Sequence, residues 1–162
     1  MYEITAVLLL EGLLVLSNKA KYGLKALVYL ADHPGRAVQS AEIAEMQGLP
    51  KKFLDAILHE IKGLGVLTAK KGKGGGYSLT RPPDTISLGS VVRALDGPFA
   101  PVPCVSQTAY ARCSDCKDEA GCFIRPVMKE VRDAISHVLD NRSLSDMMGM
   151  RQNKEFYLSY DI

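Results

Sequence analysis

Between Ser17 and Leu64 apolar side chains recur at spacings of three and four, the period of helices that each bury one face. Leu24, Leu27, Val28 and Ala31, with Tyr22 and Tyr29, predict an amphipathic first helix over Asn18 to Ala31, stopped at His33, Pro34, Gly35. Val38, Gln39 and Ser40 supply a short strand and an N-cap. A second helix, Ala41 to Gln47, follows with Ile43, Ala44 and Met46 turned inward and Gly48 as its C-cap. Pro50 opens a third helix carrying Phe53, Leu54, Ile57, Leu58, Ile61 and Leu64 on its apolar face. Two helices joined by Gly48 and Leu49 make a helix-turn-helix.

The pattern then changes. Val66 to Ala69 and Tyr77 to Thr80 read as paired strands around a glycine-rich turn carrying Lys70, Lys71 and Lys73. Glycine lets a backbone come close to another surface, and lysines on such a loop suit phosphates, so the hairpin reads as a wing. It lacks the residue order of a nucleotide phosphate cradle and joins two strands rather than a strand and a helix. Ser87 caps a short helix through Leu95, ended by Asp96, Gly97, Pro98. About 25 residues without a periodic pattern follow, a length that marks a loop as functional or disordered. Pro126 to Leu139 is again helical, with Val127, Val131, Ile135 and Val138, plus Ala134 and Leu139, on one face. Too few other elements remain to cover that stripe, which therefore suits a dimer interface. Ser143 caps a last short helix, Leu144 to Met148, before a polar tail to which no function is assigned.

The fold class expected is mainly α with a small β-wing, a winged helix-turn-helix followed by a long dimerisation helix. The parts are an N-terminal extension (1–16), the DNA-binding domain (17–97), a cysteine-rich sensor loop (98–123), the dimerisation region (124–149) and a tail (150–162). A chain of 162 residues suffices for one such domain with an arm. Charge sharpens the reading: residues 17–82 hold eleven Lys and Arg against five Asp and Glu, although the whole chain carries only +2. A polyanion partner is expected for the first half only. Ala6 to Leu16 is apolar but for Glu11, too short to span a bilayer, without a basic segment before it or a small-residue cleavage site after it. A cytoplasmic protein is expected. Residues 1–14 are also open to being an upstream extension of a gene that starts at Val15.

All four cysteines lie in the loop, as C-x8-C-x2-C-x5-C from Cys104 through Cys113 and Cys116 to Cys122. Core-filling cysteines would be scattered, and disulfides are disfavoured in the cytosol, so metal or redox chemistry is expected. Thiolates hold iron-sulfur clusters and zinc equally well. Neighbouring charges do not choose between them, since Asp115, Asp118 and Glu119 oppose thiolate formation while Arg112, Lys117 and Arg125 favour it. An enzyme is not expected: no histidine lies within ten residues of a cysteine to activate it. His33, His59 and His137 read as surface or interface residues.

Leu16-Ser17-Asn18-Lys19, Tyr22-Gly23-Leu24, Phe53-Leu54, Gly65-Val66-Leu67, Gly72-Lys73-Gly74-Gly75-Gly76-Tyr77, Arg81-Pro82, Ile86-Ser87-Leu88 and Leu95-Asp96-Gly97 together resemble the Rrf-two family (IscR-type) of bacterial winged-helix transcriptional regulators, over residues 15 to 150. The resemblance implies a homodimer with the third helix of each subunit in the major groove of a palindromic promoter site and the wing near the minor groove. Lys52, Asp55 and Lys71 match the family's base-reading positions: Lys52 suits guanine O6 or N7, and Asp55 a cytosine amine. Lys51 and Lys73 suit phosphates, and Gly74 and Gly75 of the wing are expected among the DNA contacts. The resemblance also implies a repressor that senses iron-sulfur or redox status through a cluster on three loop cysteines and a variable fourth ligand, with Cys116 and Cys122 matching the last two. Here the residue three after the last cysteine is Arg125 rather than the IscR-type histidine, and Lys21 stands where nitric-oxide-sensing relatives have an acidic ligand. A set of Cys104, Cys113, Cys116 and Cys122 would be complete within the loop. It would hold a [2Fe-2S] cluster or a zinc ion, with clusterless thiol sensing or regulation by a protein partner as the alternative.

Overall fold

The computed structural model describes residues 16–152; residues 1–15 of the N-terminal extension, with the alternative start, and residues 153–162 of the tail lie outside them. Six α-helices and one hairpin follow in the order α1 (Asn18–Ala31), α2 (Ser40–Gln47), α3 (Lys51–Gly63), β1 (Leu67–Lys70), β2 (Gly76–Leu79), α4 (Leu88–Asp96), α5 (Ile124–Asp140) and α6 (Leu144–Gln152). The expected class, mainly helical with a small wing, is what the chain adopts.

α1 has the expected bounds because Ser17 caps it, its Oγ accepting from the Ala20 amide at 3.1 Å. Ser17 also donates through its amide to Asp96 at the end of α4 (3.0 Å), which pins the start of α1 there. Ala20, Ala26, Leu27 and Leu30 of α1 meet Leu54, Ile57, Leu58 and Ile61 of α3, Ile43 of α2, and Val91, Val92 and Leu95 of α4 in one core. Full burial of each such aliphatic side chain is worth roughly 1.5–3 kcal/mol, so the three-residue spacing on α1, α3 and α4 is what fixes their packing.

Three large side chains expected on the apolar faces of the helix-turn-helix are exposed. Met46 is 64% exposed, Phe53 44% and Leu64 42%. α2 is only eight residues long and buries Ile43 and Ala44 alone, while Phe53 and Leu64 sit at the two ends of α3, where its buried stripe has run past the core. Gln39, not Ser40, occupies the position before α2, and its side chain makes no capping bond.

The hairpin is antiparallel, pairing Leu67 with Leu79 and Lys70 with Gly76, one residue later on the first strand and one earlier on the second than the apolar pattern suggested. Val38 bridges to Tyr77 with two 2.8 Å backbone bonds, so the residues before α2 form the wing's third rung. Gly76 sits where this happens: a Cβ there would lie 2.4 Å from the Val38 carbonyl, so only glycine lets the two backbones meet.

The loop from Pro98 to Phe123 is neither free nor wholly irregular. A single 3-10 turn, Pro103–Val105, seats Cys104, Val105 and Ser106 in the interior. α5 is longer than its apolar stripe by two residues at the front and one at the back, and none of its residues is fully buried. α6 is capped by Ser143, whose Oγ accepts from the Asp146 amide (3.1 Å) while the Asp146 carboxylate accepts from the Ser143 amide (2.8 Å). It runs four residues further than expected, to Gln152, and Arg151 reaches back in a double hydrogen bond to Asp32 after α1.

Candidate DNA interface and cysteine sensor

The expected DNA-facing residues fall on two neighbouring elements. Lys51, Lys52 and Asp55 occupy the first two turns of α3; Lys71, Lys73 and Gly74 are exposed on the wing. Gly75 is buried under the carbonyls of Lys70 and Gly72, so it shapes the turn rather than offering a surface. Lys51 and Asp55 are paired at 2.8 Å. The Lys51 ammonium, then a hydrogen bond from Ser40, hold the Asp55 carboxyl below the usual carboxylate range. Asp55 is therefore a fixed acceptor at the rim of the helix, while the Lys52 ammonium has no acidic partner within salt-bridge distance among the described residues.

The cysteine loop packs on the first half of α5. Together they enclose a cavity of about 520 Å³ whose lining includes Cys104, Cys122, Tyr110, Glu119, Arg125 and Lys129. Cys104 is 6% exposed and Cys113 neighbours it. Burial, then that neighbour, raise the Cys104 thiol above its ordinary pKa, against the Arg125 charge that would lower it. Tyr110 donates to Glu119 (2.7 Å), and that hydrogen bond to the carboxylate, ahead of partial burial, raises the phenol. Arg132 donates to the Val105 carbonyl at 2.6 Å and so ties the 3-10 turn to α5. The Nε of Arg125 is buried with no acceptor among the described residues.

Of these groups, Tyr110, Lys129 and Arg132 were not anticipated from the sequence, and Glu119 only as a charge near the thiols. They lack a short-range pattern; only the density of charge around the cysteines hinted at them. Cys113 and Cys116 stand outside the cavity lining, the Cys116 amide donating to the Cys113 carbonyl (3.2 Å). All four cysteines are free thiols, and among the described residues no three His, Cys, Asp or Glu side chains share one coordination point. The chemistry of the donors nevertheless fits a thiolate-held group: two sulfurs face one cavity, a third reaches the first, and an unsatisfied guanidinium N–H stands beside them, where an anionic, sulfur-rich group would give it an acceptor.

Helix-turn-helix, wing and trailing helix are shared with known regulators. The family described as Rrf2, iron-dependent transcriptional regulator, matches residues 16–150. An rrf2-like HTH-type transcriptional regulator of Rhodobacter capsulatus is 44% identical over 138 residues, 83% of this chain and 92% of that protein. The chain belongs to the Rrf2 (Rrf-two) family. Among solved structures, CymR, the global cysteine regulator of B. subtilis, superposes with a TM-score of 0.69 at 29% identity, over 85% of this chain and 98% of its own. T. potens IscR gives 0.67 at 29% identity, over 91% and 97%. As an Rrf2 protein the chain is a DNA-binding transcriptional regulator. No helix among the described residues is long and apolar enough to cross a membrane.

Proposed function

We propose that this Rrf2 regulator is a homodimeric repressor whose hold on a palindromic promoter site is set by an iron-sulfur cluster on its cysteine loop. The observation that carries the reading is the placement of Cys104 and Cys122 on the lining of one cavity against α5, with Cys113 neighbouring Cys104. Cys104, Cys113, Cys116 and Cys122 would hold the group, a [2Fe-2S] cluster by preference, and it would supply a centre sensitive to oxidants and iron supply. Since no three of these thiols share a point in the described chain, holding a common group calls for a tighter loop than this one.

The rest is done by the chain's own residues. Arg125 offers a buried donor to the sulfurs. Arg132 grips Val105, so that tightening of the loop is felt on α5. At the other end of α5, Asp140 is held by both nitrogens of Arg93 on α4 (2.6 Å each), and α4 packs on α1 and α3. Loop, dimer helix and reading head are thus joined by two guanidinium contacts, and a change in loop order would alter the spacing of the two α3 helices.

Dimerisation is supported by the exposed stripe on α5. Phe123, Ile124, Val127 and Val138 all leave about half or more of their surface in water, with Val131, Ile135 and Leu139 half-buried beside them. In this reading residues 17–97 bind DNA, with Lys52, Asp55 and Lys71 reading bases and Lys51 and Lys73 on phosphates, residues 98–123 sense, and residues 124–149 dimerise.

A second reading draws on the contact between Cys104 and Cys113: a clusterless regulator working by thiol chemistry, with zinc or a protein partner as other occupants of the same role. Purification under anaerobic conditions followed by an absorption spectrum with iron and sulfide assays separates the two. Brown protein with visible charge-transfer bands and stoichiometric iron and sulfide is the result expected. A colourless, iron-free protein that resists anaerobic reconstitution would refute the cluster and leave the thiol reading.

A further inference from the structure

We infer that Phe53 is a base-reading residue that recognises a thymine through its C5-methyl group. The inference rests on the reading of α3 as the helix that enters the major groove. Phe53 is the third residue of α3, between Lys52 and Asp55, in the turn whose side chains reach base edges when such a helix docks. Its apolar ring is 44% exposed although the helix buries Leu54, Ile57, Leu58 and Ile61 fully. The part that is not exposed is held: the ring of Tyr22 on α1 meets it edge-on, with centroids 5.9 Å apart and planes at 84°. A half-exposed aromatic ring whose other edge is braced by a second ring keeps its orientation without being part of the core.

The chemistry of the side chain narrows what it can recognise. Phenylalanine has no donor or acceptor, so it offers phosphates and the polar edges of guanine, adenine and cytosine no hydrogen bond. The one apolar feature in the major groove is the thymine methyl, for which phenylalanine is a known contact. Lys52 and Asp55 beside it supply a donor and an acceptor, so the first turns of α3 present a cation, an apolar ring and an anion in sequence. That trio would distinguish guanine, thymine and cytosine.

The test begins with sites selected from random duplexes by the full-length protein. Each thymine of the selected site is then replaced in turn by deoxyuridine, which lacks only the methyl group. For the wild type, affinity is expected to fall about fourfold at one thymine in each half-site, the worth of one buried methyl or methylene group. Phe53→Ala should bind more weakly overall and lose that discrimination, while Phe53→Leu, which keeps an apolar contact and guards against loss of folding, should retain part of it. The salt dependence should be the same for all three proteins, since no phosphate contact is removed. If no thymine shows the deoxyuridine effect, or if Phe53→Ala shows it undiminished, the assignment of Phe53 is overturned while α3 still reads DNA. If the wild type selects no sequence at all, the reading of α3 falls, and this inference with it.

Discussion

Lys52 and Lys73 look alike in composition but should behave differently. Lys52 stands on α3 in the position expected to read guanine, so Lys52→Ala should weaken the best site by about 1–3 kcal/mol and relax preference at one base pair. Lys73 is on the wing, and Lys73→Ala should weaken all sequences alike and reduce the salt slope by about one; binding titrations at several salt concentrations on matched and mismatched duplexes tell the two apart. At this scale the sequence was informative about which residues carry charge, and less so about their surroundings. Gly75 was grouped with the DNA contacts but is buried by the turn it forms. Met46 and Phe53 were counted as core because periodicity identifies a face without showing where that face runs out of neighbours.

Among the elements, α1, α3, α4 and α5 were legible because each repeats an apolar stripe over several turns and begins or ends at a recognisable cap or breaker. What joins them was not. Arg93 and Asp140 are 47 residues apart, and nothing local marks either as the other's partner. Their double hydrogen bond, with Arg93 also lying 4.4 Å over the Phe99 ring, is the main polar clasp between α4 and α5. Arg93→Ala should cost roughly 1–2 kcal/mol of stability, from an ion pair near the protein surface plus a cation–π contact, measurable by denaturant titration. Arg93 holds the Asp140 carboxyl below its ordinary range. The clasp therefore contributes fully above about pH 4, near the pKa of an unfolded aspartate, and is lost as pH falls through the depressed folded value. Asp140→Asn should remove that acid-side loss from the pH dependence of stability. Gly89 belongs to the same contact: a Cβ there would meet the Asp140 carboxylate oxygen at 2.0 Å, so Gly89→Ala should open the clasp much as Arg93→Ala does.

For the whole molecule, the winged-helix architecture and the family were accessible from the sequence because motif spacing and the basic first half point to the same partner. The proposed sensor was accessible only as four thiols in nineteen residues. Its cavity, the Arg132 anchor and the unpartnered Arg125 Nε depend on how the loop folds onto α5, which no local pattern encodes. In the proposed dimer the exposed stripe of α5 is the interface: Val127→Glu with Val138→Glu should leave a folded monomer by light scattering or sedimentation, with operator affinity reduced by more than tenfold because two half-sites are no longer held together.

A cysteine loop that senses must control the reading head. The most direct measurement is operator affinity, taken anaerobically at fixed salt, for the protein as purified, for the same protein after treatment with an iron chelator and oxidant, and for a variant with Cys104, Cys113, Cys116 and Cys122 all changed to serine. A tenfold or greater difference between the first and the other two is the result predicted. Equal affinity in all three, with folding intact, would contradict it and leave a DNA-binding protein whose cysteines do not govern its binding.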